Sequence, residues 1–146
     1  MSLKNKTAII TGSTSGIGQG MARSLAAAGC NVVLNGFGDS AQIEKDRAGI
    51  EKEFGVKVLY NAADMTKPDQ IEAMVHEAAK TFGSVDIIVN NAGIQHVSPV
   101  EDFPIAKWDA IIAINLTSAF HMTRVAVPYM KNGGFGRIVN LACAQA

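Results

Sequence analysis

Thr7-Ala8-Ile9-Ile10-Thr11-Gly12-Ser13-Thr14-Ser15-Gly16-Ile17-Gly18 is the stretch that decides the fold. The apolar run Thr7-Ala8-Ile9-Ile10 reads as a buried strand, and the glycines behind it read as a turn into a helix. Gly12 lets the chain turn sharply, Gly16 lets backbone approach a ligand without a Cβ in the way, and Gly18 lets the helix pack close to the sheet. Unpaired N–H groups and the positive dipole end of that helix then face whatever occupies the turn, which suits a pyrophosphate. An ordinary tight turn after a strand would show the same glycines, so the rest of the chain decides between the two.

Outward from this stretch, strand and helix patterns alternate without a break. Strand-like runs occupy 7–11, 31–35, 56–61, 85–90 and 136–142. Continuous apolar runs such as Val32-Val33-Leu34 and Ile87-Ile88-Val89 indicate strands buried on both faces, as in a parallel sheet. Ile17, Met21, Leu25 and Ala28 line one face of the first helix, which stops at Gly29. A second helix is expected over 42–54. A third is capped by Thr66, carries Pro68 in its first turn, and presents Ile71, Met74, Val75, Ala78 and Phe82 as one stripe. The fourth spans 104–131, with Pro128 breaking or kinking its last turn. Five strands joined by helices imply right-handed crossovers and a doubly wound, Rossmann-like α/β sheet; the expected strand order is 3-2-1-4-5, in a single domain over 1–146.

Composition narrows the function. Thirteen basic and thirteen acidic residues cancel, which leaves no electrostatic footprint for nucleic acid or an anionic membrane. The chain holds no run of ~18 apolar residues, so no membrane partner is expected. Met1 to Lys6 leads straight into the first strand with no room for a signal peptide, and the expected compartment is cytoplasmic. Cys30 and Cys143 fall at opposite ends of the proposed sheet, several strands apart, and are expected to remain free thiols.

In such folds ligands bind at the carboxyl ends of the strands. The candidate cofactor residues are therefore Gly12, Thr14, Ser15, Gly16, Ile17 and Gly18 after the first strand, Asn35 and Phe37 after the second, Asp64 and Met65 after the third, and Asn90, Ala92 and Gly93 after the fourth. Asp64 suits an adenine amino group or, equally, a helix-capping turn. Asn90 can tie neighbouring strand ends together through its amide. The second strand ends Asn35-Gly36-Phe37-Gly38, with neither an acidic residue for a ribose 2′-hydroxyl nor an arginine for a 2′-phosphate. Without a cation, NAD is favoured over NADP, with Asn35 or backbone groups meeting the ribose.

Taken together, Thr11-Gly12-x-x-x-Gly16-Ile17-Gly18, Asp64, Asn90-Asn91-Ala92-Gly93 and Asn115 resemble the short-chain dehydrogenase/reductase family. Within it the chain looks most like the bacterial members that oxidise D-3-hydroxybutyrate. The similarity extends to Leu34-Asn35-Gly36-Phe37-Gly38-Asp39, Gln95-His96, Lys107-Trp108-Asp109-Ala110-Ile111 and Gly134-Phe135-Gly136-Arg137-Ile138. The resemblance implies an NAD-dependent oxidoreductase, with Asn115 anchoring a catalytic water relay and Gln95 meeting the substrate carboxylate. It also places Cys143 where family members carry a catalytic serine, and Gln145 where the hydroxybutyrate enzymes carry a histidine.

The family's tyrosine, with a lysine four residues on, is absent: neither Tyr60 nor Tyr129 is followed by lysine at that spacing. The chain therefore reads as the first half of a family member, truncated before that pair, with weak or lost NAD binding and no tetrad-based turnover. Two rival readings use the same half-fold. One is an ester hydrolase with Thr14 or Cys143 as nucleophile, the latter activated by His96 or His121; the other is a binding or assembly module. Truncation would leave the fifth strand an open edge and apolar surface around Ile112, Leu116 and Phe120. A homo-oligomer joined through the 104–131 helix is expected.

Overall fold

In the computed structural model, which describes residues 2–142, the opening apolar run forms β1 (Thr7–Ile10) at the centre of a five-stranded parallel sheet. β2 (Asn31–Asn35) and β4 (Ile87–Asn90) flank it, with Ala8 in register between Val32 and Ile87. β3 (Val58–Asn61) pairs outside β2, and β5 (Arg137–Asn140) outside β4. The order is β3-β2-β1-β4-β5, as expected. Only β2 fills its expected run; β1, β3, β4 and β5 are all shorter.

Strand alternation divides the core into two layers. Ile9, Val33 and Ile88 face α3 (Pro68–Phe82) and α5 (Ser118–Gly133), meeting Ile71, Met74, Met122 and Ala126. Ala8, Ile10, Val32 and Leu34 face the other way, onto Ala22 and Ala26 of α1 (Gly16–Ala27) and Ile50 of α2 (Ser40–Phe54). Burying each large aliphatic side chain here stabilises the fold by roughly 1.5–3 kcal/mol.

The buried face of α1 is Gly18, Ala22 and Ala26, one residue on from the expected stripe, and Ile17 is 72% exposed. Small residues win that face because they let the helix lie close to the sheet, with Met21 and Leu25 filling its flanks. α2 begins at Ser40 rather than at 42, because the Asp39 side chain accepts a hydrogen bond from the Gln42 N–H and caps the helix. Thr66 does not cap α3: Lys67 holds the cap position, and the Thr66 hydroxyl donates back to Asp64.

The expected single helix over 104–131 is α4 (Ile105–Ile112), a π turn (Ala113–Thr117) and α5, which runs through Pro128 to the left-handed Gly134. Pro128 lies on the exposed side, where water can serve the carbonyl that loses its N–H partner. Ile105–Gly133 is long and apolar enough to cross a bilayer by length and mean hydropathy. Its α5 half buries Met122, Val125, Ala126 and Met130 in the core instead.

Candidate functional site

The carboxyl ends of β1, β2, β3 and β4 converge on a cleft of about 350 Å³. Gly12, Thr14 and Ser15 form one wall, Asn35, Gly36 and Phe37 a second, and Ala63, Asp64 and Met65 a third. Asn91, Ala92, Gly93 and Ile94 close it from the β4 side, with Ile114 of the π turn beyond them. Gly16, Ile17, Gly18 and Asn90 stand outside these walls, and Gln95 lies exposed on the loop after β4.

The glycine turn owes its shape to close backbone approach. At Gly18 a Cβ would stand 2.1 Å from the Gly12 carbonyl oxygen, so the first turn of α1 rests directly on the end of β1. At Gly12, with φ +62°, a Cβ would meet the Ala92 backbone at 2.9 Å. Gly16 has φ +56° and open space where a side chain would project. Ser15 holds the cap position of α1 in extended conformation without a side-chain hydrogen bond, and the first turn carries no acidic residue. The leading N–H groups of α1 are thus left uncapped by side chains, and with the helix dipole they favour an anion.

Buried amides and hydroxyls lace the strand ends together. Asn91 Nδ2 donates to the carbonyls of Thr11 and Gly12, at 3.0 and 2.9 Å, while Thr11 Oγ1 accepts from the N–H groups of Asn91 and Ala92. Asn35, expected at a ribose, has its side chain committed elsewhere. Its Oδ1 accepts from the Gly12 N–H, and its Nδ2 donates to the Asn61 and Ala63 carbonyls. It is buried, because it ties three loops at once. Asn90 Nδ2 donates to Asn140 Oδ1 at 2.8 Å, joining the ends of β4 and β5 as its position suggested.

Asp64 serves a turn at the mouth of the cleft: Oδ1 accepts from the N–H and hydroxyl of Thr66. The Thr66 N–H, then its hydroxyl and the nearby Lys67 charge, hold the Asp64 carboxyl below its ordinary range, so it is ionised at neutral pH. Asn115 sits in the π turn, where Ser118 N–H reaches back to the Ala113 carbonyl. Its amide accepts from the Ile94 N–H at 2.9 Å and donates to the Ile94 carbonyl at 2.8 Å, fixing the loop after β4.

Cys143 and Gln145 lie outside the described residues. No histidine lines the cleft: His96 packs edge-on against Phe103, His121 beside Phe120, and His76 against Tyr129. The Thr14 hydroxyl donates to the Phe37 carbonyl at 3.0 Å, so its proton is directed to a backbone acceptor rather than to a base. Cys30 is a buried free thiol, its pKa pushed up by burial and secondarily by Asp86. Asn91, Gly36, Ala63, Ile94 and Ile114 line the cleft in addition to the residues expected there. Asn91 stood in the quoted Asn-Asn-Ala-Gly run and Gly36 beside two candidates, whereas an isoleucine in a helix carries no local signal.

A description of the short chain dehydrogenase family matches residues 6–146. The chain is 57% identical over 142 residues to D-beta-hydroxybutyrate dehydrogenase of Cupriavidus necator, covering 96% of this chain and 54% of that protein. It is 53% identical over 140 residues to the protein of the same name from Rhizobium meliloti, with the same shares covered. The chain spans about half the length of these curated relatives. Among solved structures, L-sorbose reductase from Gluconobacter frateurii, complexed with NADPH and L-sorbose, superposes with a TM-score of 0.89 at 32% identity, covering 96% of this chain and 54% of that one. A metagenomic short-chain oxidoreductase in complex with NADP gives 0.87 at 32% identity, covering 96% and 63%.

Proposed function

The chain belongs to the short chain dehydrogenase family, and from that premise we propose that it builds the adenosine and pyrophosphate side of an NAD site in an oxidoreductase acting on 3-hydroxybutyrate. The observation that carries this reading is the cleft at the carboxyl ends of β1 to β4, overlooked by the uncapped start of α1 and the open space at Gly16. A pyrophosphate set there would meet N–H donors and a favourable dipole. Adenosine would lie between the Phe37 and Met65 walls, with the ionised Asp64 available to the adenine amino group. At about 350 Å³ the cleft is at the lower end of the ~300–1,000 Å³ typical of ligand sites.

NAD is favoured over NADP because no lysine or arginine stands among the lining residues, and the nearest ionised group is a carboxylate. The identity to the hydroxybutyrate dehydrogenases supports that substrate class, with Gln95 as the side chain for its carboxylate and Gln145 as a further substrate contact. When bound, the nicotinamide supplies the hydride acceptor. Proton transfer needs a further group that residues 1–146 do not supply. Tyr60 is not followed by lysine four positions on and is tied to the Gly36 carbonyl; Tyr129 likewise lacks the lysine and is bonded to His76. Loss of such a group alone costs about 10²–10⁴ in rate.

Calorimetric titration of the 146-residue chain tests this reading. Weak NAD binding is expected, with AMP binding within about threefold of NAD and NADP at least about tenfold weaker, reflecting an unpaired phosphate in the cleft. No NADH absorbance should grow with 3-hydroxybutyrate. Equal or tighter binding of NADP, or turnover by this chain alone, would overturn the proposal.

A further inference from the structure

We propose that Tyr60 sets the discrimination between a 2′-hydroxyl and a 2′-phosphate on the adenosine ribose, by holding the 36–39 loop through the Gly36 carbonyl. The inference rests on the dinucleotide reading above. In the sheet order, β2 lies between β3 and β1, and the loop leaving β2 is gripped from both neighbours. From β3, where Tyr60 pairs in register with Leu34, the Tyr60 hydroxyl donates to the Gly36 carbonyl at 2.6 Å. From the turn after β1, Thr14 Oγ1 donates to the Phe37 carbonyl at 3.0 Å.

Two successive carbonyls are therefore each held by a hydroxyl. In a trans peptide the C=O and N–H point in opposite directions, so the same two bonds fix where the N–H groups of Phe37 and Gly38 point. Gly36 has φ +146°, and a Cβ there would stand 2.5 Å from Thr14 Oγ1, so the loop is pressed against the glycine turn. Gly36 and Phe37 both line the cleft, and Phe37, 68% exposed, is the one that presents a side chain to it. A phosphate in place of a 2′-hydroxyl adds bulk and about 1.5–2 negative charges. Admitting it requires the loop to withdraw, and nothing cationic lines the cleft to reward that movement. Tyr60 itself does not line the cleft, and so acts through Gly36 as a positioning residue.

Tyr60→Phe removes the hydroxyl and keeps the ring that packs in the α1–α2 layer. Titrations of the 146-residue chain by NMR, with AMP and adenosine 2′,5′-bisphosphate as probes, give the selectivity as a ratio of dissociation constants. The variant is expected to lose about three- to tenfold of the preference for AMP, the worth of one hydrogen bond, with AMP affinity itself changed by no more than about twofold. An unchanged ratio in a folded variant overturns the role of Tyr60 and leaves the NAD reading standing. Absence of any AMP preference in the unsubstituted chain overturns the NAD reading instead. Should Tyr60→Phe fail to fold, ¹⁵N relaxation of the unsubstituted chain decides. Order parameters of about 0.85 at Phe37 and Gly38 support the grip, and values below about 0.6 overturn it.

Discussion

Gly18 and Gly20 are two residues apart on the same helix, yet the structure asks opposite things of them. A Cβ on Gly18 would collide with the Gly12 carbonyl oxygen, and behind it with Asn91 Nδ2. Gly18→Ala is therefore expected to destabilise the chain by about 2–3 kcal/mol, in the manner of an overpacked core, and to shift the urea midpoint down. A Cβ on Gly20 would meet nothing within 4 Å on an exposed helical face. Gly20→Ala should stabilise by about 0.5–1 kcal/mol, read in the same unfolding curves. The Gly18 role was legible in the sequence because its tightest contact is Gly12, six residues back, whereas the approach of Gly12 to Ala92 depends on the loop after β4. Asn35 was legible as a residue at the cleft, but its side chain was not: its three partners, Gly12, Asn61 and Ala63, are more than twenty residues distant along the chain.

The α2–β3 connection shows how one carboxylate can hold two elements. Glu51 Oε1 accepts from the Val58 N–H at 3.1 Å, and Oε2 accepts from Arg47 at 3.0 Å. The Val58 hydrogen bond, then Arg47, holds the Glu51 carboxyl below its ordinary range. A depressed folded-state pKa means the contribution is present above pH 4.5 and fades as pH falls through the lower folded value. Glu51→Ala should cost about 1 kcal/mol near pH 7, and the difference from the parent chain should vanish well below pH 4.5, measured by urea unfolding at each pH. At this scale the stripe of α3 was readable from its spacing, whereas the π turn was not. A π turn inserts one residue into a single turn, and the continuous apolar run Ile111-Ile112-Ala113-Ile114 carries no phase that would show it. Here it sets Asn115 against the Ile94 backbone, a contact across 21 residues.

Seen whole, the molecule is open along its β5 edge. β5 is exposed throughout, and Ile112, Leu116 and Phe120 form one stripe along the adjoining helices, the last two 65% and 61% exposed. Such a stripe favours self-association. Light scattering is expected to give a mass above the 15.4 kDa of one chain, and Leu116→Lys with Phe120→Lys should return it to that value. A single-chain mass for the unsubstituted protein would remove this helix as an interface. The sequence by itself determined the parallel, doubly wound sheet and the end of it that carries the cleft, and the strand order expected with them is the one observed. Hydrophobic period, glycine placement and crossover handedness are local or topological constraints, and a linear pattern records them. Only the tertiary structure decided which atoms do the work. The Asn35 amide goes to three loops, the Tyr60 hydroxyl to Gly36, and Ile17 to the surface. Each outcome depends on groups that folding brings together from distant parts of the chain, and no spacing along it encodes their directions.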